Sequence, residues 1–261
     1  MALTTVAGGR IEYERIPGEK AGPTIVLLHE GLGSISMWRD FPRRVAEVTG
    51  HEVLVYSRHG YGRSASLTAP RSLRFMHDEA LVVLPALLAS LEICRPILLG
   101  HSDGGSIAII HAGGSGRDVA GLVLLAPHVM VEEISVASIA AARVAYAQGD
   151  LRARLARHHE DVDGAFRGWN EVWLRPEFRA WTIEEYLPRI TCPVLAIQGE
   201  DDEYGTMEQV ERIARAVPGT KVLKLAQCGH SPHRDRAEEV LEAIRGFVRG
   251  VPMTDRPGPN P

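Results

Sequence analysis

One short stretch limits what this chain can fold into more than any other. Ile97-Leu98-Leu99 is an apolar run, Gly100-His101-Ser102-Asp103-Gly104 is an abrupt Gly-x-Ser-x-Gly turn, and Gly105-Ser106-Ile107-Ala108 is the small-residue start of a helix. A strand that turns this sharply into a helix leaves the middle residue in strained backbone geometry. That is tolerable only where the residues two before and two after are small, a condition that Gly100 and Gly104 meet. The helix then directs its positive end and its free N–H groups at the oxygen of Ser102, so negative charge developing there is stabilised.

The rest of the chain supplies the frame such a turn needs. Ile11–Ile16 alternates like an edge strand, whereas residues 24–29, 52–56, 97–100, 121–126, 193–198 and 221–225 are apolar runs of the kind found in buried parallel strands. Helical patterns separate them, among them a stripe of Leu81, Leu84, Leu88 and Leu91. This alternation predicts βαβ units and a mostly parallel central sheet flanked by helices, an α/β fold with ligands gathered beyond the strands' carboxyl ends. Between about Val129 and Arg189 the rhythm stops in favour of helix-rich sequence carrying Phe166, Trp169, Trp173, Phe178 and Trp181. The expected organisation is a core of residues 1–128 and 190–250, a helical cap inserted at 129–189, and a disordered tail at 251–261 with four prolines. The aromatic residues are expected in the cap's own core more than in a pocket wall.

A formal net charge of −4 over 261 residues gives no basic field for nucleic acid or anionic lipid. No run reaches about 18 apolar residues and the N-terminus has no leader-like pattern, so a cytoplasmic location and a small-molecule partner are expected. Cys94, Cys192 and Cys228 show no metal-site spacing and read as reduced structural residues. No metal and no cofactor is called for.

A serine becomes a nucleophile only with a base to take its proton, and the base needs a carboxylate to hold its tautomer. After Ser102 the chain offers Gly199-Glu200-Asp201-Asp202 at the end of one apolar run and Gly229-His230 after the last, in the order serine, acid, histidine expected of such a turn. With these motifs the chain resembles the α/β-hydrolase superfamily over nearly its whole length. The resemblance implies Ser102 as nucleophile, His230 as general base and Asp202, three residues after its glycine, as orienting acid. It sets aside Asp201, and also His233, which lacks the preceding glycine. The position after the strand that follows the turn, a second place for the acid, reads Ala126-Pro127-His128 and carries no carboxylate.

The resemblance also implies an oxyanion hole built from the backbone N–H of Asp103 and one N–H of the loop after His29. Glu30 stands where glycine is commonest, which leaves that donor among Glu30, Gly31 and Leu32, with Gly31 favoured. His29 and His101 read as supporting residues behind the reacting groups. A carboxylate beside an oxyanion hole opposes catalysis unless it is neutralised, so Glu30 is expected to pair with Arg58. The implied activity is cofactor-independent hydrolysis of a small carboxylic ester. Carbon–carbon hydrolysis of ring-cleavage diketones, thioester or amide hydrolysis would use the same three residues, and a non-catalytic receptor is the remote alternative.

Overall fold

The structure is a computed structural model describing residues 1–252. The apolar runs read from the sequence form six adjacent strands of its sheet, the last of them at one edge. These strands are β3 (Ile25–Leu28), β4 (Val53–Tyr56), β5 (Ile97–His101), β6 (Gly121–Leu125), β7 (Val194–Gly199) and β8 (Lys221–Leu225), preceded by β1 (Ala2–Val6) and β2 (Gly9–Ile16). The eight strands lie in the order β1-β2-β4-β3-β5-β6-β7-β8. The first two are antiparallel additions and all other pairings are parallel. β1, absent from the sequence reading, joins β2 through a tight turn with Ala7 and Gly8 both at positive φ. Its side chains are mostly exposed, so it carries no apolar run that would have marked it.

Side chains alternate across the sheet as period-two geometry requires. Val26, Leu54, Leu98, Leu122 and Leu124 face one core, whereas Ile25, Leu27, Val53, Leu99 and Val123 face the other. Each fully buried aliphatic side chain contributes about 1.5–3 kcal/mol, and this double-sided burial is why these strands read as continuous rather than alternating. The helices follow in chain order as α1 (Phe41–Thr49), α2 (Phe75–Asp78), α3 (Leu84–Ser90), α4 (Asp103–Gly114), α5 (Glu133–Gln148), α6 (Leu151–Leu155), α7 (Val162–Trp173), α8 (Glu208–Ala216), α9 (Pro232–Asp235) and α10 (Ala237–Arg249). α1 and α10 cover one face of the sheet, and α2, α3, α4 and α8 serve the other.

The leucine stripe at 81–91 is not one regular helix, because a π turn at Glu79–Val83 separates α2 from α3. Pro85 has no N–H to continue the ladder, and the Ala80 carbonyl accepts instead from His111 Nδ1 at 2.8 Å. No strand of the sheet lies between Leu125 and Val194; the chain there forms α5, α6, α7 and two 3-10 turns. Of the stretch expected to be a disordered tail, Val251 is buried and Pro252 accepts a hydrogen bond from Arg95, while 253–261 lies outside the described residues.

The strand order fixes where a ligand can sit. From β3 the chain steps to β4 on one side and then returns to build β5 to β8 on the other. The loops after β3 and β5 therefore diverge at adjacent strand ends and leave a crevice at that switch point.

Candidate active site

Ser102 occupies the tip of the turn from β5 into α4, with φ 53° and ψ −120°, a conformation that costs a non-glycine residue about 1–3 kcal/mol. Close packing holds it there. A Cβ on Gly100 would lie 2.2 Å from the Gly104 carbonyl oxygen, and one on Gly104 would lie 2.1 Å from that of Leu28. The Ser102 N–H donates to the Leu125 carbonyl at 2.9 Å, which ties the turn to the neighbouring strand.

Two other strand ends bring the remaining residues to it. His230 Nε2 lies 2.9 Å from Ser102 Oγ, and His230 Nδ1 lies 2.8 and 3.0 Å from the two carboxylate oxygens of Asp202. A carboxylate only accepts, so Nδ1 carries the proton and the Nε2 lone pair faces the serine hydroxyl. Burial works to raise the Asp202 carboxyl, but the hydrogen bond and charge of His230 outweigh it and hold the group below its ordinary range. Gln198 Nε2 and the Tyr204 N–H also donate to Asp202, at 2.7 and 2.8 Å, and the His230 N–H donates to Glu203 Oε2 at 3.1 Å. Asp201 is exposed. His233 lies in α9, packed on Trp38 and Phe41. Such an arrangement lets the imidazole take the hydroxyl proton as the oxygen attacks a carbonyl carbon.

The expected pairing of Glu30 with Arg58 is not what the structure shows. Arg58, only 1 % exposed, donates through Nη2 to the backbone carbonyl of Glu30 at 2.8 Å and to that of His29 at 3.3 Å. The Glu30 carboxylate turns the other way, 3.4 Å from His101 Nδ1 and 4.0 Å from Arg234 Nη2. Burial opposes its ionisation, but the neighbouring His101 ring outweighs it and holds the carboxyl well below the usual carboxylate range. A carboxylate near a site of developing negative charge has thus found a histidine, and the guanidinium has found carbonyls. Arg58 still braces the loop, through its backbone.

A cavity of about 140 Å³ opens over Ser102, walled by Gly31, Asp103, His128, Tyr204 and His230 and, from outside the sheet, by Ile139, Trp169 and Trp173. Both expected oxyanion donors, Asp103 and Gly31, therefore face one space with the serine. Phe178, Trp169 and Trp173 all belong to the core as expected, but Trp169 and Trp173 also line the cavity, so part of the cluster serves the pocket wall as well. Trp173 Nε1 donates to Asp103 Oδ1 at 3.2 Å, and burial pushes the Asp103 carboxyl upward against the pull of Arg58 and Arg71. Trp173, Trp169, Tyr204 and His128 escaped the sequence reading as wall residues because nothing in their local pattern separates a pocket aromatic from a core one. Glu203, next to Asp202 in the acid loop, was legible only as one of several neighbouring acids. A larger groove of about 660 Å³ between residues 67–71 and α7 contains no histidine, serine or cysteine. The three cysteines are free, and burial raises the Cys228 thiol to about 11, so it is no competing nucleophile.

The sequence pattern of the alpha/beta hydrolase family matches residues 25–243. The chain belongs to that family. Membership makes it a hydrolase, and the fold agrees. It is similar to an sn-1-specific diacylglycerol lipase of Xenopus laevis, 26 % identical over 92 % of this chain and 84 % of that one. Among solved structures it resembles the enol-lactonase from Burkholderia xenovorans, with TM-score 0.72 and 22 % identity over 95 % of this chain and all of that one. It also resembles the proline iminopeptidase of Mycobacterium smegmatis, with TM-score 0.76 and 20 % identity over 95 % and 98 % of the two chains. At these identities the two structures speak for the fold alone. No helix among the described residues is long and apolar enough to cross a membrane.

Proposed function

We propose that this alpha/beta hydrolase cleaves small carboxylic esters through an acyl-enzyme on Ser102, with His230 as general base and Asp202 as orienting acid. The observation that carries the reading is the single imidazole bridging Ser102 Oγ at 2.9 Å and Asp202 Oδ1 at 2.8 Å. Ser102 Oγ attacks the ester carbonyl while His230 Nε2 takes its proton, and Asp202 stabilises the imidazolium that results. The N–H groups of Asp103 and Gly31 receive the oxyanion. His230 then returns the proton to the departing alkoxide, and water repeats the sequence to release the acid. These steps need no metal or cofactor.

The helical stretch 129–189 serves as a cap that supplies Ile139, Trp169 and Trp173 as the apolar wall. A cavity of about 140 Å³ is below the usual range of roughly 300–1,000 Å³ for drug-sized ligands, which favours a short acyl chain. The lipase name of a sequence relative supports an ester over other bonds. The test is reaction with a fluorophosphonate followed by peptide mapping, together with turnover of a panel of short esters, thioesters, amides and ring-cleavage diketones. One adduct at Ser102 and fastest turnover of esters support the proposal. Modification elsewhere overturns the nucleophile, and a faster non-ester substrate overturns the bond class.

A further inference from the structure

We propose that His159, from the helical stretch outside the sheet, is a positioning residue for the oxyanion loop, acting in parallel with His29. The proposal rests on the reading of Ser102 and the 30–32 loop as the reacting site. The carbonyls of Glu30 and Leu32, the residues on either side of Gly31, are each held by an imidazole. His29 Nδ1 is 2.7 Å from the Glu30 carbonyl oxygen, and His159 Nε2 is 2.9 Å from that of Leu32. The other nitrogen of each ring faces a backbone N–H of the loop after β4: Arg58 N–H donates to His29 Nε2 at 3.1 Å, and Gly62 N–H donates to His159 Nδ1 at 2.9 Å.

A backbone N–H can only donate, so both rings are neutral, each with one acceptor and one donor nitrogen, and both donors point at the oxyanion loop. His159 is 5 % exposed. The Glu160 N–H also donates to the Gly62 carbonyl at 2.9 Å, so Gly62 is gripped in both directions. The groups facing the His159 ring are the Tyr61 ring, centroids 5.9 Å apart, with His158 and the Glu30 carboxylate further contributors to its electrostatic surroundings.

The consequence is that the plane of the Glu30–Gly31 and Leu32–Gly33 peptides is set from both ends, and with it the direction of the Gly31 N–H. One end is fixed by the core through His29 and the other by the helical stretch through His159. Loss of one tether leaves the donor present but displaced, and a displacement of about 1 Å is enough to cost up to about 10²-fold in rate. The effect belongs in kcat, because the donor acts on charge that develops only in the transition state.

Glutamine separates this role from packing. Its amide presents one acceptor and one donor at nearly the spacing of the two ring nitrogens, whereas leucine fills volume and bonds to neither loop. The experiment measures kcat and KM on a short ester, together with amide exchange of the peptide covering residues 29–36, in His159→Gln and His159→Leu. Expected are a kcat lower by about 10- to 100-fold in His159→Leu with KM within about threefold, faster exchange in the 29–36 peptide, and near-complete recovery of both in His159→Gln. If His159→Leu does not fold, His159→Glu at pH 8 takes its place: it accepts from Gly62 but has no N–H for Leu32, and carries the same expectation. Parent-like exchange in the 29–36 peptide, or an unchanged kcat, in the variant lacking the donor overturns the proposal. Turnover retained by Ser102→Ala would instead refute the reading of the site, and the exchange measurement would still decide whether His159 holds the loop.

Discussion

The Nε2–H of His101 donates to the backbone carbonyl of His230 at 2.7 Å, while Nδ1 of the same ring lies 3.4 Å from Glu30 Oε2. The residue before the nucleophile thus holds the loop that carries the base, and a carboxylate of the oxyanion loop stands behind it. Glu30 and His101 also line the cavity over Ser102, and their hydrogen-bond link to the base runs through the His230 backbone.

Glu30→Gln should therefore lower kcat by about tenfold, an effect of about 1.4 kcal/mol, and it should couple to His101→Ala in a double-mutant cycle. It should combine additively with Arg58→Met, to within about 0.5 kcal/mol, because Arg58 contacts the Glu30 carbonyl and not its carboxylate. Strong coupling to Arg58 would contradict the arrangement described. The carboxyl is held ionised in the folded state, so its contribution to stability is present above about pH 4.5 and declines as pH falls towards its lowered folded value.

Asp202→Asn should reduce kcat by about 10⁴ through loss of the carboxylate that holds His230 Nδ1–H. Asp201→Asn, at an exposed position, should change it by less than about threefold, since surface substitutions away from such contacts are nearly neutral. Kinetics of the two variants side by side assign the acid. The opposite ranking would remove Asp202 from the site.

Gly31→Ala should cripple turnover because a Cβ there would lie 2.2 Å from Trp169 Nε1. The loop or the indole must move. Trp169→Leu in the same chain should restore part of the lost kcat, and the cycle should show coupling of at least about 1 kcal/mol. Absence of rescue would mean that the loop fails for another reason.

Stability should fall steeply on mild acidification. Burial depresses His29 and His233 far below the ordinary histidine value and His128 to about 3, and it lowers His111 and His159 as well. Below about pH 6.5 the unfolded chain binds protons that the folded chain refuses, so unfolding takes up protons and stability rises with pH. Each strongly depressed histidine removes about 1.4 kcal/mol per pH unit below about 6.5 until its folded value is reached. The melting temperature should be nearly level above about pH 7 and drop between about 6.5 and 4. A flat profile over that interval would contradict the neutral buried imidazoles on which the loop tethers depend.

Much of this was legible in the sequence because close approach leaves a local signature. Gly100 and Gly104 around Ser102 are forced by backbone contacts near 2 Å, and apolar runs buried on both faces announce the strands that carry the site. The partner of Glu30 was not legible. Arg58 follows β4 and His101 ends β5, the two strands on either side of β3, and only the three-dimensional path of the side chains decides which one the carboxylate meets. β1 escaped because its exposed face removes the pattern. Trp169 escaped for the opposite reason: helical periodicity says which residues face inward, and the cavity wall and the core are both inward, while His159 lies in the connection between α6 and α7, where no periodicity applies. His159 bonds to the Leu32 carbonyl 127 residues away, a relationship with no trace in local sequence.

The most direct test of the account is a rapid-mix experiment with a p-nitrophenyl ester of a short acid. The parent should release a burst of p-nitrophenol equal in amount to enzyme and carry the acyl mass on Ser102, while Ser102→Ala melts like the parent and turns over roughly 10⁴- to 10⁶-fold more slowly. A folded Ser102→Ala variant that keeps more than about a tenth of the parent's activity, or an acyl group found on another residue, would contradict it.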